Sequence, residues 1–327
     1  MAMINMDTML TTKPICLNLS ECPALGDLIC ATPTIRKLSR AYEQNITVVS
    51  PVPELFKKNP YVQNSYKSTS IDWEYFNEHF IMHNSFTNVG KKNERGVEMK
   101  HNTIDIRQYH AIQLGFMLDR YELYCEYSPI EPNRFDIHHK YILIHPVSTW
   151  PNRTWPAEKW MELVKHLNDA GFYVISIGKD SSETGFFNVD KPVFNFDIPH
   201  GMNLMNQTSI SDCYHLIHNA SCFITMDSGL LHLAGTTNTP IIHLGSSLNP
   251  NFRAPYRTVH GQYHNYKYVA GSCALQCCSD MKYGVKEWGS VQGVQPLIGC
   301  LENKDKFYCH PEVDQVYEEA INYISTL

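Results

Sequence analysis

Cys222-Phe223-Ile224-Thr225-Met226-Asp227-Ser228-Gly229-Leu230-Leu231-His232-Leu233-Ala234-Gly235, followed by Pro240-Ile241-Ile242-His243-Leu244, is the stretch that decides the fold. An apolar run ends in an Asp-Ser-Gly turn, a small-residue helix follows, and a second apolar run comes after Thr236–Thr239. The pattern reads as strand, turn, helix, strand, with the turn at the carboxyl end of a buried parallel strand. In open α/β sheets ligands bind at that end. Backbone N–H groups at a helix start carry partial positive charge and suit a phosphate. The stretch therefore predicts a diphosphate held at Ser228 and Gly229, with Asp227 placed to accept hydrogen bonds from sugar hydroxyls. His232, one turn on, reads either as a second ligand contact or as a packing histidine.

Working outward, the same alternation fills the chain. Ile15–Ser20 and Ile46–Ser50 read as strands, with a helix over Asp27–Tyr42 between them and a short helix over Pro53–Asn59. The pattern blurs from Ser68 to Asn102, where His79–Ser85 suggests one more strand, and Asp105–Leu118 is an amphipathic helix. Ser128–Asn133 has linker composition. A second alternation follows: strand Tyr141–His145, helix Ala157–Ala170 stopped by Gly171, strand Tyr173–Ile177 and helix Ser211–Asn219. Such βα alternation makes parallel sheets with helical crossovers. The expected architecture is α/β, two doubly wound Rossmann-like domains facing across a cleft. The first spans 1–134; the second spans 135–327 and includes a Cys-rich insert at about 271–309. Pro311–Leu327 reads as a closing helix.

At 327 residues the chain can bury two cores. A formal charge of −6 speaks against a general nucleic-acid binder, which needs surplus Lys and Arg. No apolar run approaches the roughly 20 residues of a spanning helix, and Met1–Pro14 lacks the pattern of a secretory signal. The expected location is the cytoplasm. A Rossmann dehydrogenase would carry Gly-x-Gly-x-x-Gly after the first strand; Pro23-Ala24-Leu25-Gly26-Asp27 stands there instead.

Two further motifs carry chemistry. In Gly26-Asp27-Leu28-Ile29-Cys30-Ala31-Thr32-Pro33, Gly26 permits a tight strand-to-helix turn that brings Asp27 to the cleft. Asp27 reads as a helix cap or as a general base; a helix start weakens a carboxylate base and partial burial strengthens it. In Asn152-Arg153-Thr154-Trp155-Pro156, Arg153 reads as a solvated loop cation or as a phosphate ligand, its fork of donors suiting an oxyanion. Trp155 reads as packing. Of eleven cysteines, Cys273, Cys277, Cys278, Cys300 and Cys309 crowd the C-terminal end. Cys273, Cys277, Cys300 and Cys309, with Cys278 as the alternative to Cys277, offer a four-thiolate site for a structural metal, most simply zinc. The other reading is a set of unligated thiols.

Together the order and spacing of Gly26-Asp27…Thr32-Pro33…Leu38, Arg153-Thr154-Trp155-Pro156 with Trp160, and Asp227-Ser228-Gly229-Leu230-Leu231-His232-Leu233-Ala234 resemble glycosyltransferase family 9, the ADP-heptose heptosyltransferases and their relatives. The resemblance implies a GT-B fold with the donor on the C-terminal domain and the acceptor on the N-terminal one. It implies an inverting transfer of a heptose or related sugar from a nucleotide-diphosphate donor to a hydroxyl of a glycan, a protein or a modified base in DNA. Asp27 matches the family's base, next to the acceptor-side Gly26. Arg153, Glu183, Asp227, Ser228, Gly229 and His232 match the donor side, Arg153 standing where the family usually has Lys. Catalysis would need no cofactor. Relatives that glycosylate autotransporter proteins carry an iron-binding four-cysteine finger, so iron joins zinc as an expectation for the C-terminal thiols. The competing class is a sugar-nucleotide-binding scaffold of the same fold without turnover. The oligomeric state is left open by the sequence.

Overall fold

The computed structural model describes residues 14–22, 24–68, 71, 73–76, 78–82, 104–148, 151–179, 196–257, 261–262, 264–274, 278, 300 and 307–326. The first half contains β1 (Ile15–Asn18), α1 (Leu25–Cys30), α2 (Thr32–Ala41), β2 (Ile46–Val49), β3 (Val62–Tyr66), β4 (Glu78–Ile81) and α3 (Ile106–Gln113). Its four strands are parallel in the order β3-β2-β1-β4. The single helix expected over Asp27–Tyr42 is two. Pro33, which has no N–H to donate, opens α2, and the Thr32 hydroxyl bonds the Ile29 carbonyl at 2.8 Å, so the chain restarts at Ala31.

The second half contains β5 (Tyr141–His145), α4 (Ala157–Asp169), β6 (Tyr173–Ser176), β7 (Gly201–Asn203), α5 (Ile210–Asn219), β8 (Cys222–Thr225), α6 (Gly229–Ala234) and β9 (Ile241–Leu244). A small antiparallel pair, β10 (Tyr256–Arg257) with β11 (Gly261–Gln262), precedes β12 (Tyr266–Val269) and α7 (Val313–Ser325). Six parallel strands run in the order β12-β9-β8-β5-β6-β7. Strand order reverses between β5 and β8, and the crevice beyond their carboxyl ends is where a doubly wound sheet takes its ligand. Gly171 sits just past α4 at φ +85°, the left-handed conformation that lets a helix stop. Ser209 caps α5, paired reciprocally with Asp212.

The apolar core is continuous across the two halves. Ile15, Leu17, Leu28 and Ile29 of the first join Phe223, Leu230, Leu231 and Leu233 of the second in one cluster. A separate cluster covers the other face of the larger sheet, with Trp155, Trp160, Leu163 and Leu167 against Val313, Val316 and Ala320. The closing helix α7 therefore packs on α4 and β12 of its own domain. Among the described residues no helix is long and apolar enough to cross a membrane.

Candidate functional site

β5 and β8 end side by side at the switch point, and a buried imidazole ties the two ends together. His145 Nδ1 lies 3.1 Å from Thr225 Oγ1 and 3.2 Å from Ser228 Oγ. Burial pushes the His145 pKa down to about 3, so the ring is neutral and serves as a hydrogen-bonding pin. Ser228 is extended and caps α6 with its hydroxyl, which accepts from the Leu231 N–H at 3.4 Å. Ser148 donates to the Asp227 carbonyl at 3.4 Å, joining the loop after β5 to the turn after β8.

The Asp227 carboxylate is the electrostatic centre. Its side chain is 3% exposed, and Arg153 Nη1 donates to Oδ2 at 3.1 Å. Arg253 Nε stands 4.0 Å from the same oxygen, and His232 Nε2 stands 4.0 Å from Oδ1. Burial pushes the Asp227 pKa up, but the Arg153 and Arg253 guanidiniums hold it well below the usual carboxylate range. Burial pulls the Arg153 guanidinium below its ordinary value; Asp227 opposes this, Arg253 adds to it, and Asp27 opposes it again from the other domain. His232 and His243 are pushed down by burial to about 3 and about 4 and are neutral. Two guanidiniums thus share one buried carboxylate, an arrangement suited to receiving a further anion.

Asp27 lies in the first turn of α1, buried at 4% exposure. The capping reading of Asp27 fails: the cap position is Ala24, and no side chain bonds there. The turn reading of Gly26 fails as well, because Gly26 is inside α1. Its lack of a side chain serves close approach instead. A Cβ at Gly26 would sit 3.1 Å from His232 Cδ2, and one at Gly229 would sit 2.9 Å from Leu25 Cβ. The starts of α1 and α6, one from each domain, are pressed together through these two glycines. From α3, His110 Nε2 reaches to 3.5 Å from Asp27 Oδ1. Arg107, one turn earlier on α3, pairs with Asp105 and donates to the Ala254 carbonyl of the second domain at 2.8 Å.

Gly26, Asp27, Arg153, Asp227, Ser228, Gly229 and His232 are thus gathered around one interdomain contact. Arg153 is no solvated cation, at 12% exposure. Trp155 is wholly buried, edge-on to Trp160 and donating from Nε1 to the Pro311 carbonyl at 2.9 Å, which makes it packing. Glu183 and Cys277 lie outside the described residues. Of the other C-terminal thiols, Cys309 is pushed up by burial and then by the neighbouring Cys278, Cys273 and Cys300. Among the described residues no group of three or more His, Cys, Asp or Glu is drawn together as a metal would require. Sequence reasoning missed Arg253, His110, His145 and His243. Arg253 had a readable signal: it follows β9, the strand next to β8, and loops leaving neighbouring parallel strands converge at the same end.

A family model described as glycosyltransferase family 9 (heptosyltransferase) matches residues 70–283. Lipopolysaccharide heptosyltransferase 2 of Escherichia coli K12 is 28% identical over 105 residues, which cover 32% of this chain and 30% of that protein. The autotransporter heptosyltransferase TibC of Escherichia coli O78:H11 is 30% identical over 133 residues, covering 39% of this chain and 31% of the relative. These matches span about a third of the length of the curated relatives. In structure, the chain is similar to dodecameric iron-containing TibC in complex with ADP-D-beta-D-heptose (TM-score 0.67, 15% identity, 96% of this chain and 77% of that one). It is also similar to the Escherichia coli ADP-heptose lipopolysaccharide heptosyltransferase II (TM-score 0.62, 16% identity, 96% and 99%). These likenesses identify the two-sheet architecture as GT-B.

Proposed function

Because the chain belongs to glycosyltransferase family 9, the heptosyltransferase family, we propose that it transfers a heptose from an ADP-linked donor to an acceptor hydroxyl, with inversion at the sugar carbon. The observation that carries this reading is the meeting of Asp27 with the Arg153–Asp227–Arg253 cluster where α1 and α6 touch. The nucleotide would lie beyond the ends of β5 and β8, its diphosphate against the Ser228 and Gly229 N–H groups and the two guanidiniums. Asp227 would then face the sugar. ADP-heptose is the donor bound to one structural relative, which favours it over UDP- and GDP-linked sugars.

In this scheme the acceptor oxygen attacks the sugar carbon, its proton passes to the Asp27 carboxylate, and the bond to the diphosphate breaks. Asp27 loses its negative charge as the departing nucleotide gains one, so the cationic cluster meets the leaving group more strongly when the bond breaks. A positioned base of this kind contributes roughly 10²–10⁴-fold; fixed cations aimed at the leaving group supply electrostatic stabilisation. No metal is required for that step. A thermal-shift panel of ADP-, UDP- and GDP-linked sugars tests the donor: stabilisation by the ADP-linked heptose is expected, and stabilisation by none would sink the reading. Asp27→Asn should lower turnover at least about hundredfold while the donor still binds. A scaffold without turnover would show the same binding and no effect of the substitution.

For the C-terminal thiols the proposal is a structural zinc or iron ion held by Cys273, Cys277 (or Cys278), Cys300 and Cys309, Cys277 lying outside the described residues. Their fit rests on chemistry: four cysteine sulfurs in one stretch of the sequence, Cys278 and Cys309 among them buried, are donors that suit a soft dication. Metal analysis of protein purified without chelators should give about one ion per chain; a value near zero removes the site.

A further inference from the structure

One group beside Asp27 is left over by the scheme above. The His110 ring is wholly buried, and neither of its nitrogens has a hydrogen-bond partner among the described residues. Buried polar atoms are nearly always paired, so two orphan nitrogens on one ring call for an explanation. Nε2 points at the Asp27 carboxylate from 3.5 Å, slightly beyond an ordinary hydrogen bond. Contacts between catalytic groups are often long without substrate and tighten when it binds.

The ring is also firmly carried. Tyr109 meets it edge-on with centroids 5.8 Å apart. Asp105 caps α3 by accepting from the Arg107 N–H, and the Arg107 side chain crosses to the Ala254 carbonyl next to Arg253. The helix holding His110 against Asp27 is thus fastened at its first turn to the loop that brings Arg253 to Asp227. Base and leaving-group cluster are joined through α3.

We propose that His110 is a positioning residue for Asp27, an inference that rests on the transferase reading for its catalytic meaning. Nε2–H donates to Asp27 Oδ1 and fixes the carboxylate plane. Oδ2 is then the oxygen that receives the acceptor proton. His110 neither gains nor loses a proton in the step; the proton goes from acceptor to Asp27 and then to solvent.

The test uses the full chain with ADP-heptose as the probe and water as the acceptor, following ADP release in single turnovers. His110→Ala should slow release about tenfold with donor affinity held, and His110→Gln, which keeps an N–H donor, should recover most of the rate. In an Asp27→Asn background His110→Ala should add no further loss. Additive losses, or a rate that falls together with donor affinity, would overturn the proposal. If His110→Ala does not fold, the comparison of His110→Gln with His110→Leu carries the same outcomes. A second readout needs no turnover: in protein carrying carbon-13 histidine, the ring signal that disappears in His110→Gln should shift in Asp27→Asn. A signal that stays in place overturns the pair. Should the wild-type chain neither bind ADP-heptose nor release ADP, the transferase reading fails while the histidine signal still judges the Asp27–His110 contact.

Discussion

Asp227 and Asp27 are both buried carboxylates, and their surroundings give them different work. Two guanidiniums face Asp227, so it remains ionised and orders the cations around it. Asp27 has the His110 imidazole for a neighbour and sits at the domain contact, as the proposed base requires. Arg253 gives the sharpest test at this scale. If it faces the diphosphate, Arg253→Gln should weaken ADP binding about tenfold and leave adenosine binding unchanged, as read by calorimetry. Equal losses for both ligands would show that Arg253 merely supports Asp227. The sequence made Asp27, Arg153 and Asp227 legible through local motif chemistry. Arg253 and His110 carry no local motif; Arg253 is hinted at only by its place after β9, and the contacts of both arise when chain segments far apart are brought within 4.0 Å.

Among the elements, those with both faces buried were readable; of the edge strands only β4 was, as the strand expected from His79. β5, β8 and β9 are unbroken apolar runs because helices cover each side of the sheet. β3 (Val-Gln-Asn-Ser-Tyr), β7 and β12 lie at sheet edges with polar residues facing water, and their composition does not separate them from loops. The contact between α1 and α6 was also hidden, since it depends on what glycine lacks. At Gly229 an added Cβ would meet Leu25 Cβ at 2.9 Å and the Gly26 nitrogen at 3.2 Å. Leu25 Cβ is fixed to its backbone and cannot swing aside, so overpacking outweighs the better helix propensity of alanine. Gly229→Ala should cost about 1–3 kcal/mol in urea unfolding and reduce turnover as the two helix starts separate. An unchanged urea midpoint would mean that the close approach is not maintained in solution.

For the whole molecule, the switch-point histidines tie stability to acid. Burial pushes His145 and His232 from an ordinary 6.5 to about 3, and His243 and His310 to about 4. The unfolded chain therefore binds protons that the folded chain refuses once pH falls below 6.5. Their contribution is complete above that value and is lost progressively down to the folded values, by up to about 1.4 kcal/mol per histidine per pH unit. Urea unfolding should show clear destabilisation between pH 7 and 5, steeper than in a His145→Gln variant; a flat profile would place these rings in contact with water. By itself the sequence determined two doubly wound domains, the Asp-Ser-Gly turn at a strand end and the candidate base, because hydrophobic periodicity and turn chemistry are local properties. Tertiary structure alone decided that α1 and α6 meet glycine to glycine, that Arg253 joins Arg153 on Asp227, and that His110 faces Asp27. Each of these depends on distances between segments remote in the chain, set by the parallel crossovers and the core shared by the two domains.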